Sequence, residues 1–203
     1  MKDRPILFSG AMVRALLAGT KTQTRRIIKN PDYYGCLTGD CPHMEQRLCD
    51  AEMQKCCRYG APGDRLWVKE TWCVHRDYNA LSPTRVYEAM GGDTKHCVGY
   101  IAEPMRGDFW GKTRVSIHMP RWASRLTLEV TEVRCERLQS ISAEDALAEG
   151  IDHYTPGVTA ALRGEDEGNP IEEYRALWER INGAGSWEKN PWVWAITFKR
   201  LSA

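Results

Sequence analysis

The chain has 203 residues, 42% apolar and 27% charged, with 28 Lys and Arg against 27 Asp and Glu for a formal net charge of +1. That length can bury a core as one domain spanning 1–203 with inserted lobes, and the charge argues against a protein that grips long nucleic acid mainly through its phosphates, while leaving room for a local basic pocket that holds one nucleotide. No apolar stretch approaches a membrane span and the N-terminus has no signal-peptide core, so a cytoplasmic monomer without a membrane partner is expected, its eight Cys serving as thiols or metal ligands rather than disulfides.

In chain order, residues 5–9 alternate weakly and predict a first strand around Ile6–Phe8. Residues 11–18 predict a short helix, and Gly19 stands where a C-cap glycine belongs. A loop follows, Gly-Thr-Lys-Thr-Gln-Thr-Arg-Arg over 19–26, and a second strand is expected from Arg25 to Lys29. Residues 30–60 hold Pro31, Gly35, Gly39, Pro42 and Gly60, with few aliphatics, and read as an inserted lobe. A turn at Ala61–Asp64 leads into a strand over Arg65–Trp72 with period-two apolar residues at Leu66 and Val68. Residues 74–115 read as a loop-rich insertion with short strand candidates at Arg85–Glu88 and Cys97–Ala102. A long strand is expected over Arg125–Leu138, its buried face marked by Leu126, Leu128, Val130 and Val133, with a bulge near Thr131. Ser142 caps a helix over 143–149, with Asp145 at the capping-box position and Gly150 closing it. Asn169-Pro170 opens a helix whose apolar face is Ile171, Tyr174, Leu177, Trp178 and Ile181, and Gly183 ends it. Trp192–Leu201 is the last strand.

The loop at 19–26 carries the sharpest chemistry. Lys21 and Thr24 lie three residues apart, and an amine held partly out of water can serve as a base for a neighbouring hydroxyl. The plainer reading also fits: Lys21 complements a helix end, Thr24 starts a strand, and Arg25 and Arg26 are solvated. The segment G-x-K-x-x-x-x-R, Gly19 to Arg26, with a strand and a helix before it, resembles the signature of the ASCH family, small proteins with a β-barrel like that of PUA domains. The turn Pro62-Gly63-Asp64 before an apolar strand is also common in such barrels. Thr24 stands where many members carry Glu, and so resembles the subgroup that hydrolyses the acetyl amide of acetylcytidine with a Lys, a Thr and a Glu. The resemblance covers roughly 4–29, 61–73 and 124–201. It implies an α+β fold built on a PUA-like, mostly antiparallel barrel with flanking helices and the Cys-rich insertion.

For the third catalytic residue, Glu149 matches the family position best, at the end of a short helix after a long strand; Glu144 and Asp145 compete with it. The negative helix end is expected to raise its carboxyl pKa. Arg26 is a candidate to hold the loop or an oxyanion. His118, Arg121 and Trp122, before the longest strand, pair cations with an aromatic that can hold a base or phosphate; the alternative is that Trp122 packs the barrel end and Arg121 is solvated. This segment resembles one in phage-encoded family members. Cys36, Cys41, His43 and Cys49 run C-x4-C-x-H-x5-C in a segment almost without a core, which suits a structural zinc, with Cys56 or Cys57 as replacements for His43. The full H-x-E plus P-C-x-x-C pattern of nucleobase deaminases is absent, since the chain has no P-C-x-x-C. Two functions fit: an amidohydrolase acting on an acylated nucleoside, and an RNA- or modified-nucleotide-binding module with or without ribonuclease activity.

Overall fold

The computed structural model describes residues 1–29, 56–92, 97–102, 108–151 and 169–201. Five strands form the main sheet: β1 (Asp3–Leu7), β2 (Gln23–Ile27), β3 (Arg65–Lys69), β6 (Thr127–Arg137) and β7 (Trp192–Leu201), in the order β1-β3-β6-β7-β2. The β1/β3 ladder is parallel and the other three are antiparallel. A second sheet pairs β4 (Trp72–Val74) with β5 (Val98–Tyr100). Among the described residues four α-helices accompany them: α1 (Gly10–Ala18), α2 (Pro83–Ala89), α3 (Ala143–Ala148) and α4 (Pro170–Asn182). Among the described residues no helix is long and apolar enough to cross a membrane.

Local chemistry sets the element ends. The Ser9 hydroxyl accepts from the Met12 N–H at the start of α1, and Gly19, at φ 80°, returns its N–H to the carbonyls of Ala15 and Leu16. The register of β6 against β7 shifts between Val130 and Glu132, so the expected bulge at Thr131 is present. Val13, Leu16, Leu66, Leu128, Val133 and Ile196 are at most 2% exposed and build the core between α1 and the sheet. Tyr174, Leu177 and Trp178 of α4 pack a second cluster with Leu138, Ala146 and Val193.

Several expectations change. The strand expected over Arg65–Trp72 breaks at Glu70 and Thr71, and Trp72 starts the second sheet. The insertion at 74–115 is more than loop: Ser82 caps α2 and Pro83 opens it, so Arg85–Glu88 is helix. Val74, Val86, Val98, Met119 and Trp122 form its own apolar cluster. The mostly antiparallel α+β character holds, but the sheet does not close into a barrel: among the described residues no ladder joins β1 to β2. Arg26 bridges that gap instead, donating to the Leu7 carbonyl at 2.6 Å with its guanidinium over the Phe8 ring.

The small sheet is tied to the large one by a buried ion pair. Glu70, 1% exposed, accepts from Arg125 Nε at 3.0 Å and Nη2 at 3.1 Å, and the Arg125 guanidinium lies 4.0 Å from the Tyr100 ring. Removing one member strands the other in a dry setting. Arg125→Ala is therefore expected to lower the unfolding free energy by about 3 kcal/mol. Pairing it with Glu70→Gln should recover part of the loss, as read by urea denaturation of the three variants.

Candidate active site

Lys21 sits between α1 and β2 and is held from three sides. Its neighbour Thr22 donates its N–H to the Ala148 carbonyl at the end of α3, and accepts from the Phe198 N–H of β7. The Lys21 side chain is buried, with Nζ 2.7 Å from Glu149 Oε2 and 2.7 Å from the Glu149 carbonyl oxygen. Gly150 makes this possible. Its φ is +76°, and a Cβ there would lie 3.0 Å from both Lys21 Cβ and Ala15 Cβ. A glycine turns the chain so that the Glu149 carbonyl and carboxylate reach one amine.

Glu149 is 3% exposed and is the C-cap of α3. Its other oxygen, Oε1, lies 3.5 Å from Arg25 Nη1 and accepts from the Tyr174 hydroxyl at 3.5 Å. Burial pushes the Lys21 amine below its ordinary pKa, against the pull of Glu149 toward the charged form. Burial also works against the Arg25 charge, but Glu149, Tyr174 and Glu136 outweigh it, and the guanidinium is held charged. The Tyr174 hydroxyl is driven well above its ordinary range, first by burial and then by Glu149.

The sequence places Thr24 on a loop; it is in β2, opposite Ile196, and 2% exposed. No hydrogen bond joins the Thr24 hydroxyl to Lys21, whose Nζ is turned to Glu149. Thr24 and Glu149 instead line a common cleft of about 260 Å³, with Arg25 and Arg26 of β2, Tyr174 and Trp178 of α4, and Lys29, Arg58 and Tyr59 among the other walls. Ile181, expected on the buried face of α4, is 55% exposed and lines this cleft.

Of the competing acids, Glu144 is exposed and Asp145 serves a different end. The Asp145 N–H donates to Ser142 Oγ, as a cap requires, while its carboxylate accepts from Gln23 Nε2 at 2.9 Å, Arg25 Nη2 at 2.8 Å and Arg134 Nη2 at 2.6 Å. Glu136 adds a second carboxylate, 2.6 Å from Arg25 Nη2. These bonds clamp β2, β6 and α3 around the Lys21–Glu149 pair. Sequence reading missed Arg25 and Tyr174 as members of the site. Arg25 read as solvated, and Tyr174 was legible only as an apolar position on a helix.

His118, Arg121 and Trp122 are not among the residues that line the cleft. His118 ends a single-turn helix and is exposed. Arg121 faces Asp3 at 3.5 Å and the Trp67 ring. Trp122 packs edge-on against Trp72 and beside Tyr87, so the packing reading holds for it. Cys36, Cys41, His43 and Cys49 lie outside the described residues. Cys57 is buried in the main core, where burial pushes its thiol up to about 11, and Cys56 is exposed. Among the described residues no cluster of His, Cys, Asp and Glu could hold a metal.

No protein-family model, curated protein or solved structure matches this chain. The functional reading therefore rests on the cleft and the residues around it.

Two outcomes follow from the burial of this network. Lys21 is buried and ion-paired, so Lys21→Ala is expected to destabilise the fold by about 3 kcal/mol, because it leaves Glu149 with weaker compensation. Adding Glu149→Gln should restore part of that, and thermal melts of the single and double variants measure the coupling. Asp145 gives the pH response. Burial alone would raise its pKa, but Gln23, Arg25 and Arg134 hold the carboxyl below the ordinary aspartate range. Its contribution is thus full above the unfolded pKa and is lost as pH falls through the lower folded value. The stability gap between wild type and Asp145→Asn should be widest at neutral pH and close in acid, as followed by denaturant titrations across pH.

Proposed function

We propose that the cleft is the active site of an amidohydrolase that removes an acyl group from a modified nucleoside such as acetylcytidine, within an ASCH-type, PUA-like variant of the fold. The observation that carries this reading is that Glu149 shares the cleft wall with Thr24 and is paired from behind with the buried Lys21, which does not itself line the cleft. A pair 2.7 Å apart can share one proton, and burial favours the form in which the amine is neutral. The resemblance of Gly19–Arg26 to the ASCH signature supports Lys21 and Thr24, and the place of Glu149 at the end of a short helix after a long strand supports the third residue.

In this reading the Thr24 hydroxyl oxygen attacks the acetyl carbonyl carbon and its proton passes to the neutral Lys21 amine. A turn of the lysine side chain away from Glu149, or one bridging water, supplies the contact. Glu149, holding the pair's shared proton, gives it to the exocyclic nitrogen as the C–N bond breaks. The nucleoside leaves as the free amine and the acetyl group stays on Thr24 as an ester. Water then attacks that ester. One of its protons goes to Glu149, the Lys21 proton returns to the Thr24 oxygen, and acetic acid departs, losing its own proton to solvent. Arg25 keeps Glu149 placed, and Arg26, already bonded to Leu7, holds the strand edge rather than the loop.

A second reading, a module that binds RNA or a modified nucleotide, draws on the cations and aromatic rings of the same cleft. Turnover of acetylcytidine, followed by ultraviolet absorbance, separates the two. Thr24→Val keeps the side-chain volume and should abolish turnover with little change in melting temperature, and Glu149→Gln should bind substrate without turning it over. The rate is expected to be bell-shaped in pH, rising as the fully protonated pair loses its first proton and falling as the shared proton is lost, since the active form holds one proton between the two groups. A wild-type protein without activity would leave the binding module as the better reading. Activity that survives Thr24→Val would refute the nucleophile.

For the Cys-rich segment we propose one structural zinc held by Cys36, Cys41, His43 and Cys49, on the strength of donor type and poor core composition. Metal analysis of protein purified without chelator should find about one zinc per chain, as a four-ligand site requires. Chelation should lower the melting temperature, and metal-free protein with an unchanged melt would refute the site.

A further inference from the structure

The cleft has an excess of positive charge and of hydrogen-bond donors, with its one carboxylate already engaged. Arg26, Lys29 and Arg58 line it, and among the described residues none of the three has an ion-pair partner. Glu149 is occupied by Lys21, Arg25 and Tyr174. Among the described residues two buried donors on the cleft lining have no acceptor: the Arg26 Nε–H and the indole N–H of Trp178, a residue 4% exposed. The Arg58 guanidinium stacks on the Tyr59 ring, 5.2 Å from its centroid, which holds a cation beside a flat apolar face. Exposed Lys and Arg residues are ordinary when scattered. Here they converge on a concave space together with orphaned donors, and such donors are seldom left unmet in a folded protein.

We infer that the ligand of this cleft carries a phosphate: the substrate is an acylated nucleotide rather than a free nucleoside. The identity of the base rests on the amide-hydrolysis reading above, while the phosphate rests on the charge of the cleft alone. Lys29 and Arg58 meet the phosphate oxygens, and Tyr59 and Trp178 flank the ring. The overall charge of +1 is no obstacle, because the field that matters is the local one, within a Debye length of the cleft. A free nucleotide and a nucleotide within RNA offer the same phosphate chemistry.

Calorimetric titration of the wild-type protein with cytidine, cytidine monophosphate, inorganic phosphate and a cytidine-centred RNA trinucleotide tests this. The monophosphate should bind at least about tenfold more tightly than cytidine at low salt, as two charge-assisted contacts imply. Inorganic phosphate should compete with it, and added salt should shrink the preference. The monophosphate-to-cytidine affinity ratio should fall toward one in the double variant Lys29→Gln, Arg58→Gln. Arg58→Lys should keep part of it, and Lys112→Gln, away from the cleft, should keep all of it. Tighter binding of the trinucleotide than of the monophosphate would assign the phosphate to RNA, and weaker binding to a free nucleotide. Equal affinities for cytidine and its monophosphate, or no binding of the monophosphate, would overturn the inference. Acetylcytidine hydrolysis without phosphate preference would sink this inference alone. Phosphate preference without hydrolysis would sink the amidohydrolase reading and leave the phosphate site standing.

Discussion

A lysine ammonium sealed inside a protein is unstable unless something answers its charge, and the placement of Lys21 governs this structure. Glu149 answers it twice, through a carboxylate oxygen and through its own carbonyl. That double contact requires the chain to reverse immediately after Glu149, which Gly150 does at positive φ, with α1 and Lys21 packed too closely for a larger residue. One ion pair thus dictates where α3 ends, how α1 and β2 are joined, and which residue must follow the acid.

Around this pair lies a second tier of charge. Arg25 is shared among Glu149, Glu136 and Asp145, and Asp145 is shared among Arg25, Arg134 and Gln23. Such a network need not add much net stability over an apolar core, since each buried ion gives up its hydration. Its effect is geometric. Every member fixes the direction of the next, so Glu149 Oε2 is held by Lys21 and Oε1 by Arg25 and Tyr174.

The cleft and the lobe at 72–123 divide the molecule's aromatic residues between two uses. Trp72, Trp122 and Tyr87 pack against one another in the smaller cluster. Trp178 and Tyr174 instead form part of the second cluster and reach the cleft wall. The sheet edge nearby is left without a β1/β2 ladder, and Arg26 spans it with one hydrogen bond and a ring contact. A guanidinium can do this where a strand cannot, because it needs only one carbonyl and one aromatic face.

Local signals were enough to place α1 with its Gly19 cap, α3 between Ser142 and Gly150, α4 from Asn169 to Gly183, the bulge at Thr131 and the last strand. Each is written in a few neighbouring residues whose backbone preferences agree. The Ser82-Pro83 cap is equally local, but Arg85–Glu88 after it reads as a short strand, and only the structure shows it as helix. Motif resemblance also brought Lys21, Thr24 and Glu149 forward as a group, and tertiary structure brings Lys21 to Glu149 and Glu149 to the same cleft as Thr24. What sequence alone could not decide was burial and partnership. Lys21 and Arg25 read as loop cations, and only the folding of α3 and β6 over them turns them into buried ions with named counter-charges. Trp122 and Trp178 look alike in the chain, yet one is packing and the other borders a cleft. That difference is set by contacts between residues far apart in sequence, which no local pattern encodes.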